Sequence, residues 1–208
     1  MITILIADDH AIVRKGLIQL LLEEFPSAII EEVGDAEDLI KKVIEKTWDV
    51  IICDLNMPGR SGLDALKQIK QISPQLPVLI MSMYPAEQYA LRVLKAGASG
   101  YLSKDSIHDE LIKAVQTVLR GRKFITSSIA ETLIEAFDVS DRALHTLLSD
   151  REFEVFKQLA LGKTVSEIAI QFSLSANTVS TYRSRILEKM SFKSNADLVR
   201  YAIEKELI

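Results

Sequence analysis

Short apolar runs alternate with longer amphipathic segments along roughly the first 120 residues, and this alternation constrains the fold more than any other feature. Five runs are predicted as strands, and each is followed by a segment with helical periodicity. The third and fourth runs are aliphatic nearly throughout, as expected for strands buried on both faces. The strands are placed at 2–7, 28–33, 50–54, 78–82 and 100–102, and the helices at 11–24, 36–47, 63–72, 86–96 and 107–119. The pattern predicts an α/β domain with a doubly wound, five-stranded parallel sheet over residues 1–121.

The pattern changes after Gly121. Residues 122–147 lose the strand signal and are predicted to form a linker with one helix, near residues 128–137. Four helical segments follow at 150–161, 165–172, 176–190 and 195–206, with no strand signal between them. Residues 148–208 are therefore predicted to form an all-α, four-helix domain. Asp35 and Ser106 are predicted helix N-caps, and Gly97 a helix stop.

Several classes of protein are excluded by what the sequence lacks. No apolar run approaches the roughly 18 residues of a membrane helix. The N-terminus has no basic segment and reaches Asp8 after a short apolar run, unlike a signal peptide. Cys53 is the single cysteine, so no intramolecular disulfide forms; beside Asp54 on a strand, it is expected to point to the opposite face, into the core. A cytoplasmic protein without a membrane partner is therefore expected.

Polar side chains follow or end four of the five predicted strands. Asp8 and Asp9 follow the first, Asp54 ends the third, Ser82 ends the fourth, and Lys104 comes soon after the fifth. Because ligands of an open parallel sheet bind at the carboxyl ends of its strands, these side chains are expected to share one edge. Three carboxylates at close quarters repel one another unless a cation lies among them, and oxygen ligands of this kind suit Mg²⁺. The sequence predicts a Mg²⁺ site beside an ammonium that suits a phosphoryl group.

This set of residues, together with Tyr101, the segment that follows Asp54 and the stretch at 96–104, resembles the receiver domain of bacterial response regulators, which has a flavodoxin-like fold. The resemblance covers residues 1 to about 120. It implies that Asp54 accepts a phosphoryl group from a sensor histidine kinase. It also implies that Mg²⁺ is bound directly by Asp9, Asp54 and the carbonyl of Asn56, and through water by Asp8.

The same resemblance implies how phosphorylation would change the domain. Lys104 would pair with one phosphoryl oxygen, Ser82 would move to hydrogen-bond another, and Tyr101 would swing inward. The surface expected to change is formed by the helix at 86–96, the fifth strand and the helix at 107–119.

A different interpretation of the acidic pocket is a Mg²⁺-dependent phosphohydrolase that forms an aspartyl phosphate with a small substrate. Such enzymes typically carry the nucleophile in an Asp-x-Asp pattern after the first strand and have a lid domain. Here the first strand ends in Asp8-Asp9-His10 and no insertion for a lid is present, so a regulator rather than an enzyme is predicted. His10 is assigned to packing or to the helix start, because its neighbours are carboxylates rather than thiols or other histidines.

The segments at 165–172 and 176–190 are joined by about four residues, as in a helix-turn-helix. Ser175 or Asn177 is predicted to cap the second of these helices. Basic residues on this helix outnumber the lone Glu188, and small hydroxyl groups share its exposed face, a combination that suits a DNA major groove. The predicted DNA contacts are Asn177, Thr178, Ser180, Thr181, Tyr182, Arg183, Ser184, Arg185 and Lys189.

This segment resembles the LuxR-type DNA-binding domain, through Leu-Ser-Asp-Arg-Glu at 148–152 and Thr-Val-Ser-Thr-Tyr at 178–182, and the whole chain is similar to NarL/FixJ-family response regulators. The resemblance implies a transcription factor that binds promoter DNA as a homodimer, with RNA polymerase a further candidate partner. Two positions depart from the family. Ser173 stands at the corner where Gly is common, so it needs a left-handed backbone or an altered turn. Ser180 stands where many members carry Lys, so their base preference does not transfer.

Two alternatives remain open at the C-terminal end. The four-helix domain could bind a protein in place of DNA. The last helix, with Leu198, Val199, Ala202 and Ile203 on its apolar side, either forms a dimer surface or packs into the core of its own domain.

Overall fold

The computed structural model describes residues 1–131 and 143–208. The chain divides into two compact units, Met1–Ala136 and Phe137–Ile208. In the described part of both units, no helix is long and apolar enough to cross a membrane.

The first unit is built on a parallel sheet with the strand order β2-β1-β3-β4-β5. Its strands are β1 (Thr3–Ala7), β2 (Ile29–Val33), β3 (Val50–Asp54), β4 (Val78–Ser82) and β5 (Gly100–Ser103). Its helices are α1 (Ala11–Glu24), α2 (Ala36–Glu45), α3 (Gly62–Ile72), α4 (Ala86–Lys95) and α5 (Ile107–Leu119). The predicted doubly wound parallel fold is confirmed.

The core explains why this sheet is stable. Every residue of β3 and β4 is buried, as their continuous apolar character predicts. Alternate residues of the strands, such as Ile6 and Ile52, pack with Leu21 of α1 and Val115 of α5. Burial of each such side chain stabilises the folded protein by roughly 1.5–3 kcal/mol. The packed sheet is therefore a stable support for the loops at the strand ends.

The second unit consists of helices and their connecting turns, with no strand among its described residues. A 3₁₀ turn at Leu144–Leu147 precedes α6 (Asp150–Ala160), α7 (Val165–Gln171), α8 (Ala176–Lys189) and α9 (Asn195–Glu204). Capping boxes begin three of these helices, at Ser149, Thr164 and Ser194, so their ends follow directly from the sequence. The predicted four-helix architecture is confirmed.

The predicted helix ends are mostly correct. Asp35 accepts a hydrogen bond from the Asp38 amide, as an N-cap should, and Gly97 ends α4 with a φ of +101°. Ser106 lies at the N-cap position of α5, but its side chain makes no capping hydrogen bond. Residues 127–131 are helical, and the rest of the helix predicted near 128–137 lies outside the described residues.

Candidate functional site

The strand register brings the acidic residues together. β1 and β3 are neighbours, and the strand order reverses between them: β2 lies on the far side of β1, and β4 and β5 lie beyond β3. Ala7 pairs with Cys53, so the next residues, Asp8 and Asp54, lie side by side at the carboxyl edge. Ser82 pairs with Ser103 at the ends of β4 and β5, which brings the following Lys104 to the same edge.

Lys104 bridges two buried carboxylates. Its Nζ lies 2.7 Å from Oδ2 of Asp8 and 2.9 Å from Oδ2 of Asp54. Asp8 is fully buried and Asp54 is 2% exposed, so without the ammonium both negative charges would be severely destabilised. Burial raises the pKa of Asp54, and the attraction of Lys104 offsets this only in part. Burial alone would lower the pKa of Lys104, but its hydrogen bonds and attraction to the two carboxylates outweigh burial and raise it.

The donor atoms around Asp54 fit a small divalent cation. Carboxylate oxygens of Asp8, Asp9 and Asp54, with a ring nitrogen of His10, all lie within 4.8 Å of one another. Oδ1 of Asp54 is buried and has no hydrogen-bond partner in the described chain. A buried carboxylate oxygen is costly unless a donor or cation reaches it. Asn56 lies exposed in the loop two residues past Asp54. An oxygen-rich set of this kind suits Mg²⁺.

Ser82 and Tyr101 are linked through the backbone of Tyr84. The Tyr84 amide donates to Oγ of Ser82 at 3.0 Å, and the Tyr101 hydroxyl donates to the Tyr84 carbonyl at 2.5 Å. Ser82 is fully buried and Tyr101 nearly so, which means that Tyr101 already lies inward. Tyr84 carries no motif signal in the sequence, because only its backbone makes these two bonds.

Two further residues support the pocket and were not identified from the sequence. Gly62 begins α3 so close to β3 that a Cβ there would lie 2.0 Å from the Asp54 carbonyl oxygen. Arg14 donates through Nη1 to the Asp8 carbonyl at 2.7 Å and pairs through Nε with Glu32 at 2.9 Å. The spacing of Arg14, one helical turn after His10, is the only sequence signal for its position.

The expectations for Cys53 and His10 have different outcomes. Cys53 is fully buried, as predicted, and burial raises the pKa of its thiol. His10 precedes α1 at its N-cap position, so its assignment to the helix start is correct, although its side chain makes no cap bond. Of the two alternatives, packing or the helix start, packing does not apply, because the His10 side chain is 62% exposed with Nδ1 2.7 Å from Oδ1 of Asp9. A carboxylate partner, rather than the core, holds this ring.

In the second unit, α7 and α8 form a helix-turn-helix. Ser175 caps α8 by accepting a hydrogen bond from the Thr178 amide at 3.1 Å. Ser173, at the corner, adopts a φ of +54°, so the left-handed backbone expected there is confirmed. The Leu174 amide then donates to the Ala169 carbonyl at 2.8 Å, which closes the last turn of α7. Val179 and Ile186 are fully buried and hold α8 on the core.

Two of the cations predicted to contact DNA are held within the unit. Lys189 lies 2.6 Å from Oε2 of Glu152, whose side chain is buried. Nε of Arg183 donates to the Asn195 side chain at 2.8 Å. Both side chains therefore have structural partners, whereas Arg185 makes no side-chain hydrogen bond or ion pair with the described residues.

Three predicted hydroxyl contacts are also engaged within their own helix. Thr181 donates to the Asn177 carbonyl at 2.9 Å, and Ser184 donates to the Ser180 carbonyl at 3.1 Å. The hydroxyl of Thr178 lies 2.8 Å from Oγ of the capping Ser175. A surface depression of about 280 Å³ is lined by Asn177, Thr178, Thr181, Tyr182 and Arg185.

The last helix mainly packs into its own unit. Leu198 and Ala202 are fully buried, and Val199 is partly buried. Ile203 is 61% exposed. Core packing therefore accounts for Leu198 and Ala202, and Ile203 is the exposed member of this apolar set.

A buried, lysine-paired aspartate at the switch point of a doubly wound sheet, on a chain that also carries a helix-turn-helix, defines a phosphorylation-controlled DNA-binding regulator. The family described as the response regulator receiver domain matches residues 4–116, and the luxR family of bacterial regulatory proteins matches residues 146–202. The chain belongs to the response regulators that combine these two domains, in the NarL/FixJ family.

Similar proteins align with nearly the whole chain. The oxygen regulatory protein NreC of Staphylococcus haemolyticus is 35% identical over 213 residues, covering 99% of this chain and 98% of NreC. NreC of Staphylococcus carnosus is 36% identical with the same coverage. A structure of RcsB from Salmonella typhimurium has a TM-score of 0.62 at 28% identity, covering 97% of this chain and 98% of RcsB.

A second RcsB structure, bound to the promoter rprA with the phosphomimetic BeF₃⁻, has a TM-score of 0.66 at 26% identity, with coverage of 97% and 98%. Together these findings confirm the prediction of a DNA-binding two-component response regulator. The protein is a transcription regulator and not a classical enzyme, so the phosphohydrolase interpretation is set aside.

Proposed function

We propose that Asp54 is the phosphoryl acceptor and that a sensor histidine kinase is the donor. An oxygen of Asp54 attacks phosphorus, the bond from phosphorus to the donor's histidine nitrogen breaks, and an acyl phosphate forms. One observation carries this proposal: Lys104 contacts Oδ2 of Asp54, while the buried Oδ1 has no hydrogen-bond partner in the described chain. The ammonium of Lys104 is thereby placed to pair with an incoming phosphoryl oxygen.

Mg²⁺ is proposed to bind between Asp9, Asp54 and the carbonyl of Asn56, with Asp8 acting through water. When bound, the ion offsets negative charge on the phosphoryl group during transfer. Asp9 and Asp8 differ in solvent exposure, and this difference supports direct binding by Asp9 and binding through water by Asp8. The Asp9 side chain is 31% exposed, so an ion can reach it from the solvent side, whereas Asp8 is fully buried and already bound to Lys104.

Ser82 is proposed to report phosphorylation to the surface formed by α4, β5 and α5. To reach a phosphoryl oxygen, its hydroxyl must stop accepting the hydrogen bond of the Tyr84 amide. The segment before α4 then loses the hydrogen bond that holds the Tyr84 amide. The Tyr101 hydroxyl remains bonded to the Tyr84 carbonyl. Phosphorylation would thus shift the equilibrium between two arrangements of this surface.

The α8 helix is proposed to enter the major groove of promoter DNA. Asn177, Ser180, Tyr182 and Arg185 make no side-chain hydrogen bond or ion pair with the described residues, which leaves their polar groups for DNA. Arginine pairs with guanine and asparagine with adenine through two hydrogen bonds each, so Arg185 and Asn177 are the proposed base readers. Arg183 and Lys189 contribute positive charge near the phosphates while remaining tied to their structural partners.

A homodimer is the proposed DNA-binding form. One helix-turn-helix buries too little surface for strong specific binding, and a dimer grips two half-sites. A solved structure of RcsB contains two dimers bound to two parallel DNAs, which supports the same arrangement here. A promoter target also supports action in the cytoplasm. RNA polymerase is a further proposed partner, reached once the dimer is on the promoter.

Labelling with acetyl phosphate and Mg²⁺ tests the proposal. We expect stoichiometric, acid-stable and base-labile incorporation of phosphate, abolished in Asp54→Ala and retained in Asp105→Ala, a matched change at an exposed aspartate next to Lys104. DNA retention is then measured over a salt series with and without labelling. Repeated turnover of phosphate esters, or labelling that survives in Asp54→Ala, would refute the assignment of Asp54. DNA that is never retained, even after labelling, would refute the role of α8.

A further inference from the structure

We propose that His10 is an additional metal ligand, which allows the acidic pocket to bind Zn²⁺ in competition with Mg²⁺. The inference deepens the proposed function of the same pocket and rests on it for the location of the metal. It concerns which ion the pocket selects, whereas phosphorylation of Asp54 requires only that Mg²⁺ can bind.

The geometry places the His10 ring within the donor set. Nδ1 of His10 lies 2.7 Å from Oδ1 of Asp9 and 3.3 Å from Oδ1 of Asp8. The donor atoms of His10, Asp8, Asp9 and Asp54 all lie within 4.8 Å of one another, a spread that one bound ion can span. Asp54 also carries a buried Oδ1 with no hydrogen-bond partner in the described chain, an observation that points to a cation independently of the ring.

In the described structure, the polar contacts of this ring are with the carboxylates of Asp9 and Asp8. The side chain is 62% exposed, so it contributes little to packing, and it makes no capping bond to α1. The His10 backbone amide, by contrast, donates to Oδ1 of Asp8 at 2.8 Å and helps to fix that carboxylate. The backbone therefore orders the pocket, and the imidazole is left at its mouth, where an ion would enter.

Ligand chemistry sets the choice of ion. Carboxylates alone favour hard ions such as Mg²⁺, whereas an imidazole suits Zn²⁺ and its neighbours among the transition metals. Asp9, Asp54 and the imidazole supply three protein ligands, and a water held by Asp8 completes the four that Zn²⁺ commonly takes. Because Asp54 is also a proposed Mg²⁺ ligand, the two ions would compete for the same carboxylate.

Zinc affinity of the full-length protein is the direct test, measured by competition with a chromophoric chelator. The matched control is His108→Ala, since His108 is exposed on α5 and is not part of the donor cluster. Removing a residue that supports a metal typically costs 10–100-fold in affinity, so we expect His10→Ala to weaken Zn²⁺ binding by at least about tenfold. Mg²⁺ affinity, measured by calorimetry on the same samples, is expected to change by less than about twofold, since carboxylates dominate its binding.

Each outcome decides the proposal. Equal Zn²⁺ affinity in wild type and His10→Ala would overturn it, as would a loss of the same size in His108→Ala. X-ray absorption at the zinc edge of the wild-type protein gives an answer that needs no variant, because the outer atoms of a bound imidazole ring scatter in a pattern that carboxylates do not produce. That imidazole pattern supports the proposal, and its absence refutes it. Phosphate labelling with Mg²⁺ is scored separately. If labelling fails, the proposed role of Asp54 is wrong. If labelling succeeds but the Zn²⁺ affinity does not depend on His10, only this inference is wrong.

Discussion

The carboxylate of Asp54 lies 2.9 Å from the ammonium of Lys104, and both groups are largely shielded from solvent. The same ammonium also contacts Asp8, so one positive charge serves two buried carboxylates. The metal-free pocket is therefore short of positive charge. This shortage favours binding of a divalent cation, and it also makes the ionised form of Asp54 costly to the folded protein.

The first prediction concerns Asp54→Asn in the absence of metal. The pKa of Asp54 in the folded state lies above its ordinary value of 3.8. As the pH rises from 3.8 through the folded-state pKa, the folded protein holds more protons than the unfolded chain, so its free energy of unfolding falls. Asparagine has no charge to bury, and we expect this variant to melt at a higher temperature than wild type at pH 7.

Melting curves between pH 3.5 and 8 check this expectation. The advantage of Asp54→Asn should shrink towards pH 3.5, and added Mg²⁺ should raise the melting temperature of wild type more than that of the variant. Asp105→Asn, at an exposed position, should behave like wild type. A variant that melts below wild type at pH 7 would mean that Lys104 already compensates the Asp54 charge in full.

A second prediction tests the close packing of α3 on β3. In Gly62→Ala, the new methyl group would start 2.0 Å from the Asp54 carbonyl oxygen, so the backbone must move. Overpacking of this kind costs about 1–3 kcal/mol, and we expect slower phosphate labelling because the carboxylate of Asp54 moves with its backbone. Gly16→Ala is the control: nothing lies within 4 Å of its added methyl group. At that exposed helical site alanine should stabilise by about 0.5–1 kcal/mol and leave labelling unchanged.

The strand-end residues could be predicted from the sequence because local patterns determine them. A continuous aliphatic run ending in Asp54 identifies both a buried strand and the edge at which its carboxylate lies. Helices α1 and α5 begin and end at the predicted residues for the same reason, since their periodicity and flanking residues are local signals.

Contacts between distant parts of the chain could not be predicted in this way. The pairing of Lys189 with Glu152 spans 37 residues, and on a helical wheel Lys189 resembles any other basic residue of a DNA-binding helix. The approach of Gly62 to the Asp54 carbonyl depends on where α3 packs against the sheet, which no local pattern encodes. The exposed, carboxylate-paired ring of His10 could not be predicted either, because sequence alone does not show whether the side chain at a helix start turns towards the core or towards solvent.

The third prediction uses the strained corner of the helix-turn-helix. Ser173 has a φ of +54°, a conformation that costs a residue with a Cβ about 1–2 kcal/mol. Glycine relieves this strain but gains freedom in the unfolded chain, so Ser173→Gly should stabilise the second unit by a net of about 0.5–1 kcal/mol. Gly162→Ser should destabilise the second unit, because Gly162 has a φ of +84°, which is strained for a residue with a Cβ. No other atom lies within 4 Å of that added Cβ, so this variant tests backbone strain without a steric clash. Amide hydrogen exchange in α7 and α8 measures both changes in stability. Equal protection in wild type, Ser173→Gly and Gly162→Ser would contradict the proposed backbone strain at Ser173.

A fourth prediction separates two basic residues of α8. Lys189→Ala removes the cation paired with the buried carboxylate of Glu152, which then keeps the hydrogen bond from the Ser149 amide. A hydrogen bond to a charged group contributes about 1.5–3 kcal/mol, so the second unit should lose stability. Arg185→Ala should change stability by less than about 0.5 kcal/mol, since its side chain has no partner in the described chain. The Arg185→Ala variant should nevertheless bind DNA less tightly by about 1–3 kcal/mol and lose its preference at the base pair that Arg185 contacts. The assignment of the two roles is wrong if Lys189→Ala keeps its stability or Arg185→Ala keeps its affinity.

The last prediction concerns Thr181 and the methyl group of thymine. The Thr181 hydroxyl is committed to the Asn177 carbonyl, which leaves its methyl group as the part free to contact DNA. Thymine carries a C5-methyl group in the major groove that uracil lacks. Burying one such group is worth about 0.8 kcal/mol, or about fourfold in affinity. Replacing the thymines of a bound genomic fragment by uracil, one at a time, should weaken wild-type binding by this factor at one position and leave Thr181→Ser unaffected there. Ser184→Ala removes a hydroxyl that is likewise bonded within the helix and should keep the wild-type sensitivity. If uracil weakens wild type and Thr181→Ser equally, another side chain contacts the methyl group.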